Sequence, residues 1–140
     1  MFMSFVLLTL NVVGLTMAQG PDPFPIGPKK TEFMFPTRDG TKLHTEIFFP
    51  EFKHKIHKEG KKYPTVIDRS PYGYGDMEWI TDIFLPFGFV AIGQDMRGTE
   101  LSEGNFSMWQ SDTEDSADLG DWVVSQDWSN GEIYTFGASA

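Results

Sequence analysis

Gly137-Ala138-Ser139-Ala140 stands directly behind a strand-like run, Glu132-Ile133-Tyr134-Thr135-Phe136. A serine between small residues at a strand end is the first part of G-x-S-x-G, the tight strand-to-helix turn that lifts a nucleophilic hydroxyl above a sheet. The chemistry would be acyl transfer. A serine hydroxyl is a weak nucleophile until a positioned base takes its proton, and the oxyanion formed on the attacked carbonyl needs donors already in place. The fifth position of the pattern would be residue 141, beyond the sequence, so a strand end running into a loop is the competing reading.

Other chemistry-bearing residues are weaker candidates. His54 and His57 stand three apart, a spacing that can share a metal, but they lie in Glu51-Phe52-Lys53-His54-Lys55-Ile56-His57-Lys58-Glu59-Gly60-Lys61-Lys62, where five ammonium groups disfavour a cation. That stretch reads as a solvated loop. Asp112, Glu114 and Asp115 lack the glycine and the alternation of a calcium loop, and are explained by the charge preference of a helix start. No metal ligand and no cofactor site is assigned.

The elements that must position the serine follow from periodicity. Thr31–Pro50 gives two strand-like runs joined by a turn containing Asp39-Gly40, with Leu43, Thr45, Ile47 and Phe49 on one face of the second and His44 and Glu46 on the other, which predicts a half-buried antiparallel strand. Tyr63-Pro64-Thr65-Val66-Ile67 and Phe87-Gly88-Phe89-Val90-Ala91-Ile92 are nearly continuous apolar runs, as expected of strands covered on both faces. Between them Trp79, Ile80, Ile83, Phe84 and Phe87 form a short helical stripe that Pro86 distorts, completing a strand, helix, strand unit. A second helix is predicted from Ser111 and Glu114 as a capping box, with Ala117, Trp122 and Val123 as its inner face. Glu132–Phe136 is the next strand.

In an open parallel sheet, reactive groups gather beyond the carboxyl ends of the strands. Three loops meet there in this reading: Arg69–Gly75, Gln94–Phe106, and the segment carrying Ser139.

Taken in order, Arg38-Asp39-Gly40-Thr41-Lys42-Leu43, Asp68-Arg69-Ser70-Pro71-Tyr72-Gly73, Gln94-Asp95-Met96-Arg97-Gly98 with Ser102-Glu103-Gly104-Asn105-Phe106, Trp122–Gly131 and Phe136–Ala140 resemble successive landmarks of the Xaa-Pro dipeptidyl-peptidase and cocaine-esterase-like family of α/β-hydrolases. The resemblance runs from about Phe33 to Ala140. It implies an α/β class and a partial α/β-hydrolase fold, comprising an N-terminal hairpin plus the first parallel strands and helices of the central sheet. It also implies a serine hydrolase acting on a small ester or a peptide, with Ser139 as nucleophile. The Tyr72 hydroxyl and the Ala140 backbone N–H would then serve as oxyanion donors. Asp95, Arg97 and Gly98 match family positions, with an architectural role beside the pocket as the expectation, through an ion pair or backbone hydrogen bonds.

The triad order of this fold is serine, acid, histidine, so the acid and base are expected downstream of Ser139. His44, His54 and His57 all precede it, and none is assigned as the base. The expectation is therefore an amino-terminal fragment, inactive by itself, of an enzyme active at full length. An α-carboxylate at Ala140 would further oppose an oxyanion beside it. The alternatives are a secreted binding protein using the rim around Tyr72 and Asn105, or a product without function.

Composition bounds the partners. A formal charge of -9 and a pI near 4.6 exclude a nucleic-acid binder that relies on a basic face, while 40% hydrophobic content suffices for a core. Residues 1–18 form an uncharged apolar segment read as a signal peptide cleaved after Ala18, too short for a comfortable membrane span, so the product is expected to be secreted. Residues 19–31 are a Pro/Gly-rich lead-in, and 32–140 the catalytic-domain portion. With no cysteine, stability must come from packing, and Asn105-Phe106-Ser107 becomes a candidate glycosylation sequon at Asn105.

Overall fold

The computed structural model describes residues 29–50, 60–73 and 78–137. Five strands, β1 (Lys29–Pro36), β2 (Lys42–Phe49), β3 (Tyr63–Ser70), β4 (Val90–Asp95) and β5 (Ser129–Thr135), form one sheet in the order β1-β2-β4-β3-β5. β1 and β2 form an antiparallel hairpin, β2 lies antiparallel to β4, and β4, β3 and β5 run parallel. Helix α1 (Glu78–Phe84) joins β3 to β4, and α2 (Asp112–Ser125) joins β4 to β5. No helix among the described residues is long and apolar enough to cross a membrane.

The strands have two apolar faces because the helices cover opposite sides. Val66 and Ala91 pack with Ile80 and Leu85 on the α1 side, whereas Ile67, Val90 and Ile92 pack with Leu119 and Val123 on the α2 side. This is the two-sided burial expected of the apolar runs. The α2 side also holds an aromatic cluster in which Trp122 meets Phe33 at 5.4 Å and Trp128 at 6.3 Å, and Trp128 meets Phe49 at 5.5 Å. Such tilted and edge-on contacts add to simple burial.

The hairpin turn spans Thr37 to Thr41. Thr37 N–H donates to the Thr41 carbonyl at 2.9 Å, the Asp39 carboxylate accepts from Thr37 Oγ1 and Thr41 N–H, and Gly40 takes φ 86°. β1 begins at Lys29, within the residues 19–31 read as lead-in, because Lys29–Thr31 pair with Ile47–Phe49.

Four expectations are corrected. β2 is not half-buried: His44 and Glu46 are buried along with Leu43, Thr45 and Ile47, because β2 lies inside the sheet and its second face carries a polar cluster that Glu32 and Lys30 partly cover. On α1, Ile83 and Phe87 are exposed, Phe87 by 80%. Pro86 diverts the chain into a 3-10 turn, Leu85–Phe87, so that Leu85 enters the core instead. The side chain of Trp79 lies outside the described residues. On α2, Val123 and Trp122 face the core as expected, but Asp115 and Leu119 complete the buried face and Ala117 is exposed. A residue two positions from Asp115 and Leu119 points to the opposite side of a helix. Finally, Ser111 makes no side-chain cap, so the capping box with Glu114 does not form, and the first-turn acids Asp112 and Asp115 are paired with arginines from other elements.

β5 lies at one edge of the described sheet and starts at Ser129 rather than Glu132. An irregular register against β3 accommodates the turn-like Asn130-Gly131 pair, with Glu132 N–H donating to Asn130 Oδ1 at 2.9 Å.

Candidate active site

The chain moves from β3 to β4 on one side of β3 and then to β5 on the other, which places a crevice beyond the carboxyl ends of the adjacent parallel strands β3 and β5. β5 ends at Thr135 and leads toward Ser139, and Phe136 N–H still donates to the Ile67 carbonyl at 2.9 Å. Ser139 and Ala140 lie outside the described residues, as do His54, His57 and residues 1–18, which were expected to be a signal peptide.

β3 delivers the first rim loop. Tyr72 N–H donates to Ser70 Oγ at 3.1 Å, and the Ser70 carbonyl accepts from Met96 N–H at 3.0 Å, tying this turn to the end of β4. Tyr72 is 72% exposed, so its ring is not used for packing. Gly73, at φ 81°, lies against Glu100, whose Cγ would be 2.9 Å from a Cβ added there. The first two loops therefore touch.

The second loop is built on Asp95, Arg97 and Gly98. Arg97 grips the Asp115 carboxylate with two bonds, Nε to Oδ2 at 3.0 Å and Nη2 to Oδ1 at 2.6 Å, and reaches Asp39 Oδ2 at 2.8 Å with Nη1. One planar cation thus joins the hairpin turn, the β4 loop and the start of α2, which a lysine's point charge would not reproduce. Arg97 holds the Asp39 carboxyl well below the usual carboxylate range, and hydrogen bonds from Thr41 and Thr37 add to the effect. Gly98 takes φ 71° and donates N–H to the Glu103 carbonyl at 2.9 Å, closing the loop on itself. Asn105, next to this contact, is exposed.

Buried Asp95 accepts a hydrogen bond from the ring of His44, Oδ2 to Nδ1 at 2.9 Å, and its carbonyl accepts from Ser102 Oγ at 2.8 Å. The other ring nitrogen of His44, Nε2, faces Glu32 Oε1 at 2.9 Å. Burial works to lower the His44 pKa, and the hydrogen bonds to Glu32 and Asp95 overcome it, so the net shift is upward. An Asp-His pair is the acid-base half of a triad, yet here the far nitrogen faces a carboxylate, not a hydroxyl.

Residues with no role in the sequence reading complete the rim. Arg69, its side chain nearly buried, donates Nε to Gln94 Oε1 at 2.8 Å and contacts Asp112 and Ser116 of α2 through Nη1. The available signal was a charged Asp-Arg pair ending an apolar strand, opposite an acid-rich helix start. Asp68 has its carboxyl pKa pushed up by burial, and its Oδ1 lies 3.6 Å from where a Cβ on Gly137 would be. A carboxyl with a raised folded pKa binds its proton more tightly in the fold, so it penalises stability above the unfolded value, and the penalty vanishes below that value. Asp68→Asn is therefore expected to raise Tm near pH 7, and the gain should disappear on acidification to about pH 3. Melting curves at both pH values decide this, and an equal or lower Tm near pH 7 contradicts it.

A doubly wound sheet in which β2 runs antiparallel to the other described strands is the α/β-hydrolase arrangement. Residues 39–140 match the X-Pro dipeptidyl-peptidase (S15) family, and the chain belongs to that family. It is 30% identical over 112 residues to cocaine esterase from Rhodococcus sp. (strain MB1 Bresler), covering 76% of this chain and 18% of that protein. Among solved structures, an alpha-amino acid ester hydrolase superposes with a TM-score of 0.65 at 26% identity, covering 94% of this chain and 24% of that one. A CocE/NonD family hydrolase from Staphylococcus aureus superposes at 0.63 with 25% identity, over 77% of this chain and 22% of the other. The chain thus spans about a quarter or less of the length of these relatives.

Proposed function

We propose that the whole protein is a serine hydrolase that cleaves an ester or amide bond through an acyl-enzyme on Ser139. The observation that carries this reading is the convergence of exposed Tyr72 and the strand leading to Ser139 at the carboxyl ends of β3 and β5, which are neighbours in the sheet. Adjacent strands lie about 4.8 Å apart, so groups just beyond their ends can reach one carbonyl.

In this reaction Ser139 Oγ attacks the substrate carbonyl as a base takes its proton. Tyr72 Oη–H and Ala140 N–H donate to the oxyanion, and collapse expels the alcohol or amine, protonated by the same base. Water then repeats the cycle on the acyl-enzyme. The serine, acid, histidine order of this fold places the triad acid and histidine downstream of Ser139, in parts of the whole protein beyond this chain, and His44 is engaged on both ring nitrogens. The substrate is a small ester or a peptide, with the choice set by those same parts. We also propose that the protein is exported after removal of residues 1–18, which exposed Asn105 would suit as a glycan acceptor.

The test is steady-state hydrolysis of an activated ester by the whole protein. Tyr72→Phe is expected to lower kcat by about 10²-fold or more with little change in KM, because the hydroxyl is needed only once charge develops. An unchanged kcat would remove Tyr72 from the oxyanion hole.

A further inference from the structure

On the face of the β1–β2 hairpin away from α2, Glu32 and Glu46 stand directly opposite each other, and His44 occupies the same face of β2. Like charges directly opposite across an antiparallel pair are destabilising unless a cation lies between them. One ligand atom from each of Glu32, His44 and Glu46 lies within 4.8 Å of the others. We propose that these three residues form a binding site for a divalent transition metal of the zinc class.

The donor set is one imidazole and two carboxylates, which suits zinc or cobalt better than magnesium or calcium, whose sites are built from oxygen. Ligands at ordinary zinc distances are about 3.3 to 3.5 Å apart, so the His44–Glu32 separation must open slightly and any wider one must close by up to about 1.5 Å. His44 Nε2 and Glu32 Oε1 are already 2.9 Å apart, and Glu32, half exposed, can turn. The imidazole is oriented as metal-binding histidines generally are, with the remote nitrogen held by a carboxylate, here Asp95 Oδ2 on Nδ1 at 2.9 Å. The exposed side of Glu32 supplies the entry path and leaves the fourth position to water.

Lys30 is the competitor. Its Nζ contacts Glu46 and lies 3.5 Å from Glu32, so the ammonium neutralises the pair when no metal is bound. Its side chain is 45% exposed and can swing into solvent. Metal binding then displaces the ammonium, and the metal takes the place of any proton on His44 Nε2, which is released to solvent. This site stands independently of the hydrolase reading, because none of its three ligands belongs to the loops of the rim.

Titration of the metal-free protein with Zn²⁺ by calorimetry, and with Co²⁺ by visible absorption, tests the site. One equivalent is expected to bind, with the d–d bands of a low-coordinate cobalt centre. Lys30→Met should tighten binding about tenfold by removing the competitor, and Glu32→Gln and His44→Gln should each weaken it by tenfold or more. Glu32→Gln alters a half-exposed side chain, so it remains informative if the buried His44 variant fails to fold. Absence of one-equivalent binding in both the unaltered protein and Lys30→Met, or binding that Glu32→Gln leaves unchanged, overturns the proposal.

Discussion

Replacing Ser139 with alanine is expected to abolish ester hydrolysis by the whole protein, with a loss of about 10³-fold or more in kcat, and to eliminate covalent labelling by a fluorophosphonate probe. The magnitude follows from the proposed chemistry. Without Oγ no acyl-enzyme can form, and only binding and the oxyanion donors remain to accelerate direct attack by water. Ser139 follows β5 in the chain and is not among the described residues that pack under α1 and α2, so KM and melting temperature should stay near those of the unaltered protein. The probe reports on the nucleophile directly, since phosphonylation requires an activated hydroxyl. Labelling that survives in Ser139→Ala would place the nucleophile elsewhere and end the assignment. Loss of labelling together with a collapsed fold would be answered by Ser139→Cys, which keeps a nucleophile of nearly the same size and should label weakly with a thiol reagent.

The strand and helix order was legible because each parallel strand needs two apolar faces, and that requirement leaves continuous runs such as Val66-Ile67 and Val90-Ala91-Ile92 in the sequence. On α2, Trp122 and Val123 pack on the core as their spacing suggests, but Ala117 does not, because the inward stripe begins with a charged residue. Asp115 is buried at 1% exposure, which nothing local announces, since its burial depends on Arg97 arriving from the β4 loop. A capping box was the better local explanation for the same acids, and the fold used them for tertiary ion pairs instead. The second face of β2 failed for a related reason. His44 and Glu46 look solvent-facing by alternation, and only the pairing of β2 with both β1 and β4 encloses them with Glu32 and Asp95. Residues whose proposed roles rest on a motif, such as Tyr72 and Ser139, are candidates the sequence offers by itself, whereas residues that hold the loops, such as Arg69 and Asp68, acquire their roles only through partners distant in the chain.

Gly98→Ala is expected to be the most damaging single methyl group in the described fold, costing about 4 kcal/mol or more, the range reached when backbone strain and a steric clash coincide. Two effects combine there. The residue sits at φ 71°, where an L side chain is strained, and its Cβ would fall 2.1 Å from Phe106 N, 2.4 Å from the Asn105 carbonyl carbon and 2.8 Å from Phe106 Cα. These are backbone atoms, so no rotamer change relieves the overlap and the two arms of the loop must separate. Separation breaks the Gly98 N–H bond to Glu103 and shifts the adjacent Arg97 from its two-point grip on Asp115. Gly131→Ala isolates the first effect. Gly131 has φ 87° but nothing within 4 Å of an added Cβ, so that change should cost only about 1 kcal/mol. Denaturant unfolding of the two variants side by side is decisive. A large difference assigns the cost to the close approach of the two loop arms and predicts a parallel loss of activity, because the same loop braces the Tyr72 turn through Met96 and Glu100. Equal costs would mean that the loop opens freely and does not fix the rim.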